Sequence, residues 1–190
     1  MQKKYAVLRP GKEKAIRNRH HWIFSGAVQS LPHFTDGEIL PVATSSGELL
    51  GSAYFNRKAK IIGRLVTFDA TPPQEAISAN ISKALRLRRE FFLDKPTNAY
   101  RLINGEGDLL PGLVVDKYAD YLIVQLSTLG MERLLPWLIE LLKKEFSPAG
   151  IYEKSQLPSR KEEGLEERKG MLFGSEPPSE VEIVENGHRF

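Results

Sequence analysis

There is no cysteine anywhere in the 190 residues. Disulfides, thiolate metal sites and any thiol nucleophile supplied by this chain are excluded with it. Long apolar runs are missing too. The best candidate, Leu134 to Leu142, is interrupted by Pro136 and Glu140 and falls short of the ~18 residues that cross a bilayer. Histidine is scarce, four in all. His20 and His21 are adjacent and so point apart, and His33 and His188 lie at no ligand spacing, which predicts no metal site. The stretch Met1 to Tyr5 is basic without an apolar segment behind it, so no signal peptide is expected. A cytoplasmic protein without membrane contact fits these absences.

What is present is unevenly charged. The net charge of +3 hides eleven Lys and Arg against five Asp and Glu in residues 1–70, and eleven against sixteen in residues 101–190. A basic front joined to an acidic remainder points to an anionic polymer met at the N-terminal end. The plainer alternative is a scattered, solvated basic surface.

The organisation follows from turn residues and periodicity. Residues 1–70 read as short strands between Gly-rich turns: Tyr5–Leu8, Trp22–Phe24, Glu38–Ala43, Leu49–Phe55 and Ile61–Phe68, with a short helix over Lys12–Asn18. Such a pattern predicts a small β-barrel or sandwich. Thr71, Pro72 and Gln74 form a capping-box start for a helix running to about Leu93, with Ile77, Ile81, Ala84, Leu85 and Arg88 on one stripe. Residues 71–97 thus connect to a second unit over 98–190. There, strands at Tyr100–Asn104, Leu113–Tyr118 and Tyr121–Leu126 precede a helix over Met131–Phe146. Strand character returns at Ile151–Glu153, Met171–Phe173 and Val181–Val184. The expected class is mixed α+β: a barrel followed by a small strand-strand-helix-strand-strand layer.

Three groups of residues carry chemistry. Gly105, Gly107 and Gly112 imitate a nucleotide loop, but a Val-rich strand follows them where such a loop opens a helix. They read as a turn, and no cofactor site is expected. Glu106 and Asp108 are paired carboxylates that read as turn caps bonded to Arg101; as acid and base they would support an enzyme with its own site. Lys14, Arg17, Arg19 and His20 before Trp22 form a cationic cluster suited to phosphates, and Asn56, Arg57, Lys58 and Lys60 form a second. These eight residues are the candidate RNA contacts, while Trp22-Ile23-Phe24 reads as barrel core.

The run Leu8-Arg9-Pro10-Gly11 with His20-His21-Trp22-Ile23-Phe24-Ser25-Gly26-Ala27 resembles the opening of a PUA domain, a small RNA-binding pseudo-barrel. Tyr54-Phe55-Asn56 with Ile61 and Arg64 resembles its closing strands. Tyr100 to Tyr118, Ile151 to Ser155, Arg160 with Glu163-Gly164-Leu165, and Val184 to Gly187 follow in the order found in one family. That family is the PUA-containing S-adenosylmethionine-dependent methyltransferases similar to the large-subunit ribosomal RNA cytosine-5 methyltransferase. Two departures occur: Arg19-His20-His21-Trp22 stands for the family's Gly-His-Pro-Trp, and Asn56-Arg57-Lys58-Ala59 for its Asn-Pro-x-Ser.

The resemblance implies RNA, above all large-subunit rRNA, as partner, with a homodimer left open. It also implies a Rossmann-like catalytic domain and a cysteine, neither recognised in this sequence. Asn186-Gly187 announces a hairpin with only three residues left to return, which suggests truncation. The expectation is therefore an RNA-binding front portion with the Rossmann-like domain absent, no cofactor and no catalysis of its own. The rival is a stand-alone RNA-binding or regulatory protein.

Overall fold

The computed structural model describes residues 5–190; Met1 to Lys4 of the basic N-terminal stretch, where no signal peptide is expected, lie outside the described residues. Six strands form the first sheet: β1 (Ala6–Leu8), β2 (Trp22–Phe24), β3 (Val28–Ser30), β4 (Ile39–Ala43), β5 (Leu49–Phe55) and β6 (Ile61–Thr67). Their order is β2-β6-β5-β4-β1-β3. A short helix, α1 (Glu13–Arg17), lies between β1 and β2. The two outer strands are consecutive in sequence and joined by a 3-10 turn, Ser25–Ala27, which brings both edges of the sheet to one corner. The Arg9 N–H donates to the Ala27 carbonyl at 2.9 Å across that corner.

Alternation along the strands sends Leu40, Val42, Leu50, Ala53, Phe55 and Leu65 inward to meet Ala6, Leu8, Ile16, Ile23 and Phe34. Each such Leu, Ile or Phe contributes about 1.5–3 kcal/mol by leaving water. One position demands glycine. Gly51 has φ +145°, and a Cβ there would stand 2.1 Å from the Thr67 carbonyl oxygen of β6, so no side chain fits.

Helix α2 (Pro73–Phe92) buries the stripe Ile77, Ile81, Ala84 and Leu85. The expected Thr71 cap does not form. Pro72 takes the extended cap geometry without a side-chain acceptor, and the Thr71 N–H donates instead to Asp69 Oδ1 at 2.9 Å.

The second sheet contains β7 (Ala99–Asn104), β8 (Leu113–Tyr118), β9 (Tyr121–Leu126), β10 (Gly150–Ser155) and β11 (Arg168–Gly174), in the order β11-β10-β9-β8-β7. The predicted single helix is two, α3 (Leu129–Arg133) and α4 (Leu135–Phe146). Pro136 sits in the first turn of α4, where its missing N–H removes no helical bond. Thr128 caps α3 by accepting from Met131 N at 3.4 Å. The expected layer is corrected in topology. β9 and β10, which flank the helices in sequence, are parallel neighbours. Parallel neighbours require a crossover, and α3–α4 supplies it. A strand–helix–strand parallel unit of the kind that builds α/β sheets is therefore present.

After α5 (Ser159–Glu162), the chain finishes in a two-stranded hairpin, β12 (Val184–Glu185) and β13 (His188–Arg189). Asn186 (φ 51°) and Gly187 (φ 86°) make the turn, and Ile183 and Phe190 exchange two backbone bonds of 3.1 and 3.0 Å.

The second core joins Ile77, Ile81 and Leu85 to Leu102, Leu113, Val124, Met131, Leu138 and Ile151, and it also takes in Tyr54 and Val66 from the first sheet. Tyr54 is the seam. Its hydroxyl donates to the Pro111 carbonyl at 3.0 Å, its ring lies against Gly130, and burial pushes its pKa up.

Candidate RNA-binding face

β2 is the edge strand on which the candidate site is built. Ile23 points inward, while Trp22 and Phe24 point out, 38% and 50% exposed. The expectation that Trp22 belongs to the barrel core is thus corrected: in a three-residue strand only the middle side chain can face in. The Trp22 indole N–H donates to Glu106 Oε1 at 2.8 Å. Glu106 is accordingly the acceptor for an aromatic ring across the seam and not a partner of Arg101. Asp108 receives a two-pronged ion pair from Arg88 at 2.6 and 2.7 Å, and Arg101 pairs with Asp116 at 2.9 Å.

The first cationic cluster sits at the start of β2. Lys14 and Arg17 lie on α1, both exposed. Arg17 is committed to Glu48 at 2.5 Å, which raises its pKa. Arg19 has left-handed backbone (φ 62°) and holds its guanidinium 5.1 Å from the centre of the Phe68 ring. His20 is exposed, accepts from the Trp22 N–H at 3.2 Å, and stands edge-on to the Trp22 ring. Its neighbour His21 is buried, bonded to the Leu65 carbonyl at 2.7 Å, with its pKa lowered by burial.

The second cluster is the turn between β5 and β6. Arg57 bonds Asp36 at 2.8 Å and lies 4.7 Å over the Phe34 ring. Lys58 and Lys60 are exposed and form no ion pair among the described residues. Asn56 differs from the rest: it is 2% exposed, and its amide donates to the Glu163 carbonyl and to Oε2 at 2.9 and 2.8 Å. It fixes the turn from within. The β2–β6 register, Trp22 opposite Arg64 and Phe24 opposite Ile61, places the two clusters at opposite ends of β2.

Two residues that the sequence offered only as part of a family motif, with no role of their own, organise the seam. Glu163 is buried and receives Arg64 as well as Asn56. Arg160, 1% exposed, donates to the Leu126 and Glu166 carbonyls, both at 2.7 Å, and to Glu132 at 2.6 Å. In sequence both lie in the charged stretch Pro158 to Arg168, which has no apolar periodicity and reads as a charged loop or short helix. The glycine-rich turn forms a 3-10 segment, Gly105–Asp108, and leads into β8. It offers no helix N-terminus.

Comparison with known proteins extends these observations. A PUA-like domain family matches residues 6–68. Ribosomal RNA large subunit methyltransferase I of Aliivibrio fischeri (strain ATCC 700601 / ES114) is 37% identical over 186 residues, 95% of this chain and 46% of the relative. The enzyme of the same name from Vibrio cholerae (strain ATCC 39541 / Classical Ogawa 395 / O395) is 37% identical over 181 residues, 93% of this chain and 45% of the relative. The chain thus spans about half the length of these relatives. Among solved structures, SMU.776, a candidate methyltransferase complexed with SAH, superposes with a TM-score of 0.81 at 21% identity, over 98% of this chain and 47% of that one.

These alignments overturn three expectations. Nearly the whole chain, second unit included, lies within methyltransferases. The Rossmann-like domain can no longer be counted as absent from the fold class, and a non-catalytic or stand-alone RNA-binding protein is not the reading they support. The expectation of no cofactor falls as well, since the superposed neighbour is complexed with SAH. The chain carries a PUA-like domain and is homologous, across nearly its full length, to the large-subunit ribosomal RNA methyltransferases.

Proposed function

We propose that this chain acts in the S-adenosylmethionine-dependent methylation of large-subunit rRNA, with cytosine carbon 5 as the target and the face around β2 as the RNA-holding surface. Residues 1–70 form the RNA-binding unit, 71–97 the connecting helix and 98–190 the central α+β unit in this reading. Lys14, Arg17, Arg19, His20, Arg57, Lys58 and Lys60 supply the phosphate contacts, and Asn56 shapes the turn that presents three of them. A cytoplasmic location goes with an rRNA substrate.

The observation that carries the proposal is the pairing of homology to rRNA methyltransferases over 95% of the chain with two cationic clusters flanking one exposed strand edge. Cations arranged around a groove attract a polyanion without reading its sequence. No helix among the described residues is long and apolar enough to cross a membrane.

Deleting the encoding gene and mapping methylated nucleosides of the large-subunit rRNA by mass spectrometry tests the proposal. One methylated cytosine is expected to disappear and to return on complementation. Unchanged rRNA methylation would overturn it.

A further inference from the structure

We infer that His20, Trp22 and Phe24 form a stacking track for an unpaired segment of RNA, with Glu106 positioning the central ring. The inference rests on the RNA-binding reading of the same face and deepens it: the ligand at β2 is single-stranded, held by its bases as well as its phosphates.

Four observations support this. Trp22 and Phe24 are alternate residues of β2 and share its outward face, and His20 lies just before the strand with its ring edge-on to that of Trp22. Their rings are neighbours, with centroids 5.6 Å apart for His20–Trp22 and 6.4 Å for Trp22–Phe24. Beside them runs a groove of about 430 Å³ between α1 and β2, lined by Lys12, Ala15, His20, Trp22, Phe24 and Ala27 among others. The track also begins and ends at cations: Arg19 precedes His20, and Phe24 lies opposite Ile61, one residue from Lys60. An apolar protein partner would leave these cations uncompensated, whereas a nucleic-acid strand places phosphates on them and bases on the rings. Duplex RNA hides its base faces and cannot use the track.

Trp22 is also preorganised. An exposed indole ordinarily samples several rotamers, but its N–H is held by Glu106 Oε1 at 2.8 Å. That contact comes from the second unit, so the ring's orientation depends on the seam. Glu106 is a positioning residue, acting on RNA only through Trp22.

The test uses the full chain in a Trp137→Phe background, so that Trp22 is the sole indole emitter. Three ligands are titrated: a short single-stranded RNA, the same strand with abasic riboses, and its duplex. Single-stranded RNA is expected to quench Trp22 emission, and the abasic strand and duplex are not. Trp22→Ala weakens single-strand binding about tenfold, the scale of losing one base–aromatic stack, and leaves the salt dependence unchanged. Phe24→Ala, at a half-exposed position where refolding is not at stake, weakens it by a similar factor. Glu106→Ala costs about threefold, in line with one lost hydrogen bond, and Glu106→Gln restores binding because its amide oxygen accepts the same bond.

Wild-type binding of single strands that Trp22→Ala and Phe24→Ala leave intact overturns the track alone. A wild type that binds no RNA overturns the parent reading with it. A concentration-dependent dimer that Phe24→Ala abolishes would make the strip a contact between two copies, and the track would fall.

Discussion

Replacing Glu163 by alanine should unsettle both the fold and the RNA face. The carboxylate is 2% exposed and accepts from Arg64, from Asn56 Nδ2 at 2.8 Å, and from the Leu129 N–H at 3.4 Å. Removing one partner of a buried ion pair costs about 3–5 kcal/mol, chiefly by stranding the other charge. Arg64, at 14% side-chain exposure, can recover some water, so the lower end, about 3 kcal/mol, applies. For a chain of this size that is a fall in Tm of about 6–12 °C. Calorimetry on Glu163→Ala, Arg64→Met and the double variant provides the assay. The double variant should lose less than the two single losses together, with a coupling of about 1–3 kcal/mol. A drop of less than about 2 °C for Glu163→Ala, or strict additivity, would refute the claim that this contact fastens the β5–β6 turn to the second unit.

The buried ring of His21 has its pKa held below the ordinary 6.5 by desolvation. The unfolded chain therefore takes up a proton that the folded chain refuses, so this contribution to stability is present above about pH 6.5 and is lost as pH falls below it. Thermal unfolding from pH 7.5 to 5.5 should show a loss that His21→Gln flattens; identical pH profiles would count against it. RNA binding should depend on salt through the uncommitted cations. With about four phosphates neutralised, the slope of log K against log salt for a single strand is near −3, and a Lys14→Gln/Lys60→Gln variant should bring it to about −1.5. A slope near zero in the wild type would remove the electrostatic basis of the face.

How much of this was legible in sequence follows from which signals are local. The strands around Leu49–Phe55 and Leu113–Leu126 announce themselves through alternation and turn residues, and they lie where expected. The cationic residues near β2 were legible as well, because charge is read directly from side-chain identity. What escaped depends on partners distant in sequence. Trp22 and Phe24 look like core by hydropathy, yet a three-residue edge strand has one inward position and Ile23 takes it. Asn56 looks like a polar turn residue, and only the arrival of Glu163, 107 positions later, buries it. Arg160 is the extreme case. Nothing in Ser159-Arg160-Lys161-Glu162 distinguishes a solvated charge from one enclosed by two carbonyls and Glu132.

The parallel β9–β10 pairing was hidden for a related reason: periodicity reports which face a strand buries, but not the direction of its neighbour. The length of the α3–α4 crossover was the available clue, since parallel strands need a connection of a dozen or more residues. The candidate RNA face itself combines both kinds of information. Its charges are written locally, while the orientation of its central ring is set by Glu106, 84 residues away. A substitution at the seam should consequently alter RNA binding without touching a single cation, and a substitution among the cations should alter it without moving the ring.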